Sequence, residues 1–446
     1  MTDLPVFYEA FLVGTIAVGE EGPSFGYAPR WEATREAFPA SLRMPLGSGP
    51  FGPDILMPWL MNLLPEGDPL RTVGRNIGVA PEDVIGMLSR VGRDTAGALS
   101  IGHPREGENP GYREVPGPDG LERIIEELPR KPFLAGDEGV SMSLAGAQHK
   151  LPIALVGDRI AIPVNGAPST HILKPDNARL FGSVQNEALC MVIARRVGLS
   201  VAEVTTGTAG DRTYLLVTRY DRFRRNDDRH RIHQEDLCQA LGKPPAAKYE
   251  HNQSGIKGPS LQDFFGLARE AMAPSQALPL LDAVILNILL TNVDSHAKNY
   301  SVLFHFGRSR PGLAPLYDLM CAAAWADVTK NHAQDIGGQR DGRHIHARHW
   351  ERMAKNCGLN ATALLKRVRD LGGKVLSEID SAVEEVRTMP AGGHAMLDAF
   401  GEAIRQRCRT VLRNLRDEEQ DIAQVDETIS VPSEEDAGKS RPDRKH

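Results

Sequence analysis

A polar stretch of eight residues, 292–299, holds the side chains of this chain that are best suited to chemistry. It reads Asn-Val-Asp-Ser-His-Ala-Lys-Asn, so four residues separate Asp294 from Asn299. In phosphoryl-transfer enzymes with this spacing, the Asp accepts the proton of the acceptor hydroxyl and the Asn holds Mg²⁺. Asp318, farther along the chain, would supply a second carboxylate, and Mg²⁺ prefers such oxygen ligands. The pattern indicates phosphoryl transfer, although the stretch alone is equally typical of a polar turn.

A helix and a strand are predicted on either side of this stretch. Residues 280–290 are almost entirely apolar and predict a core helix, and residues 300–306 are typical of a strand. The eight residues therefore form a loop, and Asp318 lies after a Pro/Gly turn. This arrangement predicts that a loop and the end of a following strand carry the metal ligands.

A second stretch, residues 141–150, reads Ser-Met-Ser-Leu-Ala-Gly-Ala-Gln-His-Lys and precedes a predicted strand at 151–156. Small residues around a Gly allow backbone N–H groups to approach phosphates closely. The stretch is not a Walker A motif. It is similar to the Gly-rich lid that lies between two strands in kinases. A plain hairpin turn is the alternative.

A strand lysine and a helix glutamate follow in the order that a kinase uses. Lys174 ends the β-like run 170–175, and Glu187 opens an amphipathic helix. In kinases such a Lys contacts the phosphates and is held by a Glu of the next helix. The alternatives are a surface lysine and an acid that stabilises a helix N-terminus.

Three further stretches have simpler interpretations. The strand Thr213–Thr218 leads into the position of a kinase hinge, and the basic run Arg222–Arg231 predicts a solvated loop. The run Gly92–Leu99 predicts a tight turn more readily than a ligand loop. Residues from Arg416 onward are acidic and polar and predict a disordered tail.

The composition is ordinary for a globular protein. The net charge of -6 over 446 residues gives no general case for nucleic-acid binding, and the five scattered cysteines form no disulfide framework. The N-terminus shows no signal segment, and the most apolar run is too short for a bilayer of about 30 Å. The expected location is therefore the cytoplasm, without membrane attachment.

Taken together, the motifs resemble the HipA family, the serine/threonine kinase toxins of bacterial HipBA toxin–antitoxin systems. The resemblance covers residues 5–410. It implies an α+β, two-lobed, protein-kinase-like fold with a small N-terminal α/β subdomain and a mostly helical C-terminal lobe. The expected boundaries are 1–103 for the N-terminal subdomain, 104–222 for the kinase N-lobe, 223–415 for the C-lobe and 416–446 for the tail. The stretches that carry the resemblance are 62–66, 92–94, 143–150, 170–174, 234–239, 294–299 and 317–318.

The resemblance also implies roles for individual residues. Asp294 would be the catalytic base, Asn299 and Asp318 would hold Mg²⁺, and Ser143 would be autophosphorylated. Lys174 would contact the ATP phosphates, with Glu187 in support. The residues expected to cover the phosphates are Ala145, Gly146, Ala147, Gln148, His149 and Lys150. Those expected to form the hinge or line the nucleotide site are Thr218, Arg219, Tyr220, His296 and Tyr317.

The partners that the resemblance implies are a small HipB-like helix-turn-helix antitoxin and, through it, operator DNA. The implied substrate is an aminoacyl-tRNA synthetase, notably the glutamyl enzyme, whose phosphorylation on serine arrests translation. Two alternatives stay open at this point. The chain could be an antitoxin-binding co-repressor without turnover, or a kinase for a small molecule, because phosphoryl-transfer residues do not reveal the acceptor.

Overall fold

The N-terminal region is an antiparallel sheet covered by short helices. The computed structural model describes residues 3–103, 109–226, 228–304 and 310–428, with side chains described up to 416. The strands of this region are β1 (Leu4–Tyr8), β2 (Phe11–Gly19), β3 (Gly22–Tyr27) and β4 (Leu99–Ile101). The sheet order is β3-β2-β1-β4. The helices are α1 (Pro29–Glu32), α2 (Pro53–Met61), α3 (Gly67–Ile77) and α4 (Val84–Val91).

A six-stranded antiparallel sheet follows. Its strands are β5 (Gly111–Glu114), β6 (Leu151–Val156), β7 (Arg159–Val164), β8 (His171–Pro175), β9 (Val204–Ala209) and β10 (Arg212–Thr218). Their order in the sheet is β5-β7-β6-β8-β10-β9. Two helices accompany the sheet, α5 (Gly117–Glu127) and α6 (Ser183–Arg196). Residues 184–194 of α6 are all buried, so this helix lies inside the protein rather than on one face.

The C-terminal part is mostly helical. Its helices are α7 (Leu237–Ala240), α8 (Leu261–Ala271), α9 (Ala277–Leu290), α10 (Ala347–Cys357), α11 (Ala361–Arg387) and α12 (Leu397–Thr428). Its strands are β11 (Arg222–Arg225), β12 (Asp228–Arg231), β13 (His233–Asp236), β14 (Ser301–Phe304), β15 (Gly312–Leu313), β16 (Asn331–Ile336) and β17 (Gln339–Asp341). Every residue of α9 from Leu280 to Leu290 is buried, which confirms the predicted core helix before residues 292–299, called the catalytic stretch below after their predicted role.

Two hydrophobic cores hold these parts. One core joins residues of the N-terminal sheet, such as Val6 and Ile16, to residues of the six-stranded sheet, such as Leu151 and Leu173. The other fills the helical part and includes α6. The first 103 residues therefore share a core with the six-stranded sheet. The domain boundaries inferred from the sequence stay a prediction.

Asp94 is the centre of a buried ion network that joins three parts of the chain. Its side chain is 1% exposed. Its carboxylate contacts three guanidinium groups, at 3.0 Å from Arg222, 3.2 Å from Arg231 and 3.8 Å from Arg219. Burial alone would raise the pKa of Asp94, but these cations hold that pKa below its usual range. Asp221 also pairs with Arg219 and Arg222, at 2.7 and 2.9 Å, so the cluster balances most of its charge internally.

The network corrects two predictions. The basic run Arg222–Arg231 is a hairpin of β11 and β12: Arg224 and Arg225 are exposed as expected, but the side chains of both terminal arginines are buried against Asp94. The run Gly92–Leu99 is more than a tight turn, because the backbone of Asp94 also binds the start of the stretch 141–150, called the phosphate loop below after its predicted role. Its N–H donates to the Ser141 carbonyl at 3.1 Å, and its carbonyl accepts from the Ser143 N–H at 3.0 Å.

Three other expectations differ from the structure. The loop 141–150 follows an irregular segment and precedes β6, so it does not join two paired strands of a hairpin. The stretch 234–240 predicts the start of a helix, but residues 233–236 form strand β13 and the short helix α7 begins only at Leu237. The backbone of α12 runs to Thr428, into the segment for which composition predicts disorder, and residues 429–446 lie outside the described residues.

We expect Asp94→Ala to lower the free energy of unfolding by about 3–5 kcal/mol at neutral pH, because it leaves buried guanidinium groups without a partner. Urea denaturation measures the loss. The unfolded state binds more protons at this position than the folded state, so the stability that Asp94 contributes is present above pH ~4 and declines as pH falls below it. The control is Asp68→Ala, since Asp68 is 88% exposed and pairs with Arg71 at the surface. Equal losses in the two variants would contradict the role of the network.

Candidate active site

A cavity of about 380 Å³ lies between the six-stranded sheet and the helical part. The structure brings most of the predicted site residues together on its wall. Those that line it are Ala145, Gly146, Ala147, Gln148, Lys150, Lys174, Glu187, Thr218, Arg219, Tyr220, Asp294, His296, Asn299, Tyr317 and Asp318. Ser143 and His149 are not among the lining residues. Ser143 is fully buried outside the cavity wall. His149 is half-buried, and its Nδ1 makes no hydrogen bond in the structure.

Lys174 is the cation at the centre of the cavity. It lies on β8, and its Nζ is 2.6 Å from Glu187 Oε1 and 2.8 Å from Asp318 Oδ1. The lysine and Glu187 side chains are only 8% and 11% exposed. The expected pairing of a strand Lys with a helix Glu is therefore present, with Glu187 inside α6. The same ammonium also reaches Asp318, which the sequence did not predict.

The electrostatics of this group keep Lys174 and Asp318 charged, whereas burial raises the pKa of Glu187. Burial alone would lower the pKa of Lys174, but Asp318 and Glu187 hold that pKa above its ordinary value. Burial alone would raise the pKa of Asp318, but Lys174 and then Lys150 hold it below its usual range. Asp318 has a backbone φ of 57°, in the left-handed region. A residue other than Gly in this region is often found at functional sites.

The catalytic stretch begins where α9 ends. Thr291, the residue after the helix, has a φ of 59° and turns the chain away from the helix axis. Within the loop, the side-chain amide Nδ2 of Asn299 donates to the backbone carbonyl of Asp294 at 2.8 Å. The backbone N–H of Asp294 donates to Asn292 Oδ1 at 3.3 Å. The hydroxyl of Tyr249 donates to the Asp294 carboxylate. Burial raises the pKa of Asp294, which favours a group that can take up a proton.

The phosphate loop is docked against the N-terminal region. The Gly146 carbonyl accepts from the Glu66 N–H at 3.1 Å, and Ser143 Oγ donates to the Leu63 carbonyl at 2.8 Å. Gly146 has a φ of 103°, a conformation that suits Gly. Lys150 Nζ donates to the Ala145 carbonyl at 2.7 Å, and burial lowers the pKa of Lys150 to about 8. The loop therefore places one lysine beside Lys174 in the same cavity.

The expected hinge lines the cavity, and two of its backbone N–H groups are already hydrogen-bonded within the protein. The Thr218 N–H donates to the Glu203 carbonyl at 2.8 Å, and the Arg219 N–H donates to the Thr170 carbonyl at 3.0 Å. The Arg219 side chain belongs to the Asp94 network. These two amides are thus engaged within the protein, and the hinge role of Thr218, Arg219 and Tyr220 stays a prediction.

Aromatic side chains line the same side of the cavity. The rings of Tyr220 and Tyr317 are 5.8 Å apart, and Tyr317 donates to the Lys298 carbonyl at 2.7 Å. His296 is buried, and burial holds its pKa well below the ordinary value, so the ring is neutral at pH 7. These rings, with the apolar side chains of Ile172 and Val217, offer aromatic and apolar contacts to a planar ligand group.

Lys248 and Tyr249 are two residues of the wall that sequence reasoning missed. They lie in the irregular segment between α7 and α8. Tyr249 contacts Asp294, and Lys248 pairs with Glu66 at 2.8 Å. No local pattern marks such residues, because their partners lie far away in the sequence. A tyrosine next to a lysine in a glycine-containing loop was the only available signal.

The donor set suits a nucleotide with its magnesium ion. Asp318 offers carboxylate oxygens, and Asn299 uses its amide nitrogen to hold the loop, which leaves its amide oxygen as a ligand. Oxygen ligands of this kind are those that Mg²⁺ takes. Lys150 and Lys174 place two cations in the same cavity for phosphate oxygens. The residues present therefore fit both groups.

Comparison with protein families matches two regions of the chain. The HipA N-terminal domain matches residues 4–102, and the HipA-like C-terminal domain matches residues 142–379. The chain belongs to the HipA family. Its assignment to that family from the sequence motifs is confirmed.

No helix within the described residues is long and apolar enough to cross a membrane.

Individual HipA relatives match over most of their length. The protein named "Putative kinase Y4mE", from Sinorhizobium fredii, is 35% identical to this chain. The match covers 92% of this chain and 98% of Y4mE. The serine/threonine-protein kinase toxin HipA of Shewanella oneidensis is 28% identical over 85% of this chain and 88% of its own. The solved complex of HipA, HipB and operator DNA from Shewanella oneidensis matches with a TM-score of 0.82 and 26% identity. The match covers 94% of this chain and 99% of the solved chain. The predicted α+β, two-lobed fold is confirmed.

We expect Lys174→Met to destabilise the apo protein by about 3–5 kcal/mol at neutral pH, because it removes the ammonium between two carboxylates. In the folded variant Glu187 and Asp318 would bind protons more readily than in the unfolded chain. The stability of the variant should therefore fall as pH rises and recover on acidification. Urea unfolding at pH 5 and pH 8 measures this. The control is Lys131→Met, whose partner Asp137 lies nearer the surface. A loss of the same size at both pH values would argue against the charge effect.

Proposed function

We propose that this HipA-family chain is a serine/threonine protein kinase that uses Mg²⁺ and ATP and acts as the toxin of a toxin–antitoxin pair. The observation that carries the proposal is the single cavity that joins the Lys174–Glu187 pair to Asp294, Asn299 and Asp318. A chain that only binds a partner has no need to bring all of these together. The naming of a HipA relative as a kinase toxin supports the same conclusion.

Each residue has a defined task in this proposal. Lys150 and Lys174 bind phosphate oxygens, and Asn299 and Asp318 hold the metal. Bound Mg²⁺ supplies positive charge that offsets the charge of the phosphates. Asp294 takes the proton of the acceptor hydroxyl as the acceptor oxygen bonds to the γ-phosphorus and the bond to ADP breaks. Because Lys174 and Asp318 are already paired, the binding groups are held in place before the ligand arrives.

The acceptor and partners are proposed at the level of class. The acceptor is a protein serine or threonine, and an aminoacyl-tRNA synthetase such as the glutamyl enzyme is the substrate that the family resemblance favours. The partner is a HipB-like antitoxin, which brings the chain to operator DNA in the cytoplasm. The solved complex of a relative with HipB and DNA supports this partner class. A co-repressor without turnover or a small-molecule kinase would be the conclusion if no protein accepted label from ATP.

We expect Asp294→Asn to reduce phosphoryl transfer by about 10²–10⁴-fold, the usual contribution of a general base, with little change in ATP affinity. Transfer is measured with γ-labelled ATP, and affinity by calorimetry with Mg²⁺ present.

The matched control is Asp158→Asn, an exposed aspartate in the turn between β6 and β7. Wild-type turnover in Asp294→Asn would overturn the assignment of the base. If the variant also loses ATP affinity, the change has disturbed the cavity rather than the chemistry alone.

Ser143 is proposed as a site of self-inactivation, and its surroundings suggest how. Ser143 is fully buried, and its hydroxyl donates to the Leu63 carbonyl, while its N–H donates to the Asp94 carbonyl. A phosphoserine carries close to two negative charges and has no hydrogen to donate at this carbonyl. It cannot remain in this position, so phosphorylation would displace the start of the phosphate loop and weaken nucleotide binding.

We expect the wild type to lose kinase activity progressively during incubation with Mg²⁺ and ATP, and Ser143→Ala to keep it. Peptide mapping by mass spectrometry should place the phosphoryl group on Ser143. The alanine variant loses one buried hydrogen bond, which costs about 1 kcal/mol and leaves the protein folded. Ser141→Ala is the control, because this neighbouring hydroxyl donates to the Arg90 carbonyl instead. Equal inactivation of wild type and Ser143→Ala would contradict the proposal.

A further inference from the structure

The segment Lys248–Tyr249 contacts the catalytic stretch at two points, and the proposed chemistry leaves it without a task. The Tyr249 hydroxyl donates to Asp294 Oδ1. Its ring lies edge-on to the ring of His296, with centroids 5.1 Å apart and planes at 82°. The Lys248 carbonyl accepts from the Ala297 N–H at 3.1 Å. The segment therefore holds the loop on both sides of His296, by a side chain and by the backbone.

Glu66 connects this segment to the phosphate loop. Its Oε2 is 2.8 Å from Lys248 Nζ, and the two side chains are 17% and 15% exposed. Its backbone N–H donates to the Gly146 carbonyl at 3.1 Å. The other carboxylate oxygen, Oε1, is buried and makes no hydrogen bond in the structure. Lys248 is the cation that balances this largely buried carboxylate, which ties the lysine firmly to the N-terminal region.

The hydrogen bond to Tyr249 decides which way the base can point. The phenol donates to Oδ1 of Asp294, which restricts the rotation of the carboxylate and leaves Oδ2 without this hydrogen bond and available to an acceptor hydroxyl. The phenol ring is stiff and is held by its contact with His296. Burial and then the charge of Asp294 raise the pKa of Tyr249, so it stays a donor at any working pH.

We propose that Tyr249 is a positioning residue for Asp294, and that Glu66, through Lys248, ties the position of this base to the docked phosphate loop. The inference rests on the proposed function, since Asp294 must be a base for its orientation to affect turnover. It adds a regulatory consequence: when the phosphate loop leaves Glu66, the catalytic base loses its support as well.

The test uses the full chain and four variants. Tyr249→Phe removes only the hydroxyl, and Glu66→Gln removes the charge that holds Lys248 but keeps the backbone contact with Gly146. The double variant tests their coupling. Tyr112→Phe is the control, because that hydroxyl donates to the Pro168 carbonyl and its ring does not line the cavity.

Two readouts are needed. The first is ADP release from Mg-ATP, with water or a protein hydroxyl taking the phosphoryl group, which gives kcat and the KM for ATP. The second is hydrogen exchange of the apo protein over residues 292–299, where the Ala297 amide reports whether Lys248 stays in contact. We expect Tyr249→Phe to lower kcat by about 10–100-fold with KM changed less than about twofold, since misplacing a catalytic group costs rate rather than binding. Exchange over residues 292–299 should be faster in Tyr249→Phe and Glu66→Gln, and unchanged in Tyr112→Phe.

The double variant decides the role of Glu66. If Glu66 acts through Lys248 on the position of Tyr249, the effect of Glu66→Gln on kcat should shrink when Tyr249 is already Phe. If the two substitutions act independently, their effects on kcat should multiply. Multiplying effects would overturn the link to the phosphate loop. An unchanged kcat, or a higher one, in Tyr249→Phe would overturn the positioning role, the latter by showing that the phenol blocks the acceptor. If the wild type releases no ADP, the proposed function fails, and the exchange readout alone then supports or overturns the contact with the loop.

Discussion

The structure depends on one buried carboxylate, that of Asp94, which holds the N-terminal region, the hinge and the phosphate loop in one arrangement. Its side chain binds arginines from the segment after β10 and from the hairpin of β11 and β12. Its backbone binds Ser141 and Ser143 on the way to the phosphate loop. Charges buried in this way cost much free energy unless every partner is present, so the network accepts few alternative arrangements.

The cavity of the candidate active site lies next to this network, and its walls are also fixed by buried ion pairs and hydrogen bonds. One part of the cavity wall is the Lys174–Glu187–Asp318 group, in which one ammonium lies between two carboxylates. The cover is a loop whose Gly146 carbonyl and Ser143 hydroxyl are bound to the N-terminal region. The charges that a phosphate-bearing ligand needs are therefore in place before the ligand binds. A change at Ser143 acts on the phosphate loop, since the Ser143 hydroxyl is one of the groups that bind this loop to the N-terminal region.

The N-terminal region also reaches the catalytic stretch directly. Asn62 Oδ1 accepts from Lys298 Nζ at 2.5 Å, and Asp236 pairs with the same lysine at 2.9 Å. Lys298 is thus buried and balanced, and it supports the loop rather than a phosphate. Glu66 adds the contact through Lys248. The first hundred residues complete the candidate active site from outside the lobes that carry the expected catalytic residues.

The sequence by itself determined the local features: the core helix before the catalytic stretch, the spacing of Asp294 and Asn299, the strand lysine and the family. These depend on short-range patterns of apolar residues and on motifs that are contiguous in the chain. Only the tertiary structure decided that Arg222 and Arg231 are buried, that two hinge amides are occupied and that Tyr249 holds Asp294. Asp94 and Arg222 are far apart in the sequence, and a basic run looks solvated until the carboxylate that neutralises it is brought beside it by the fold.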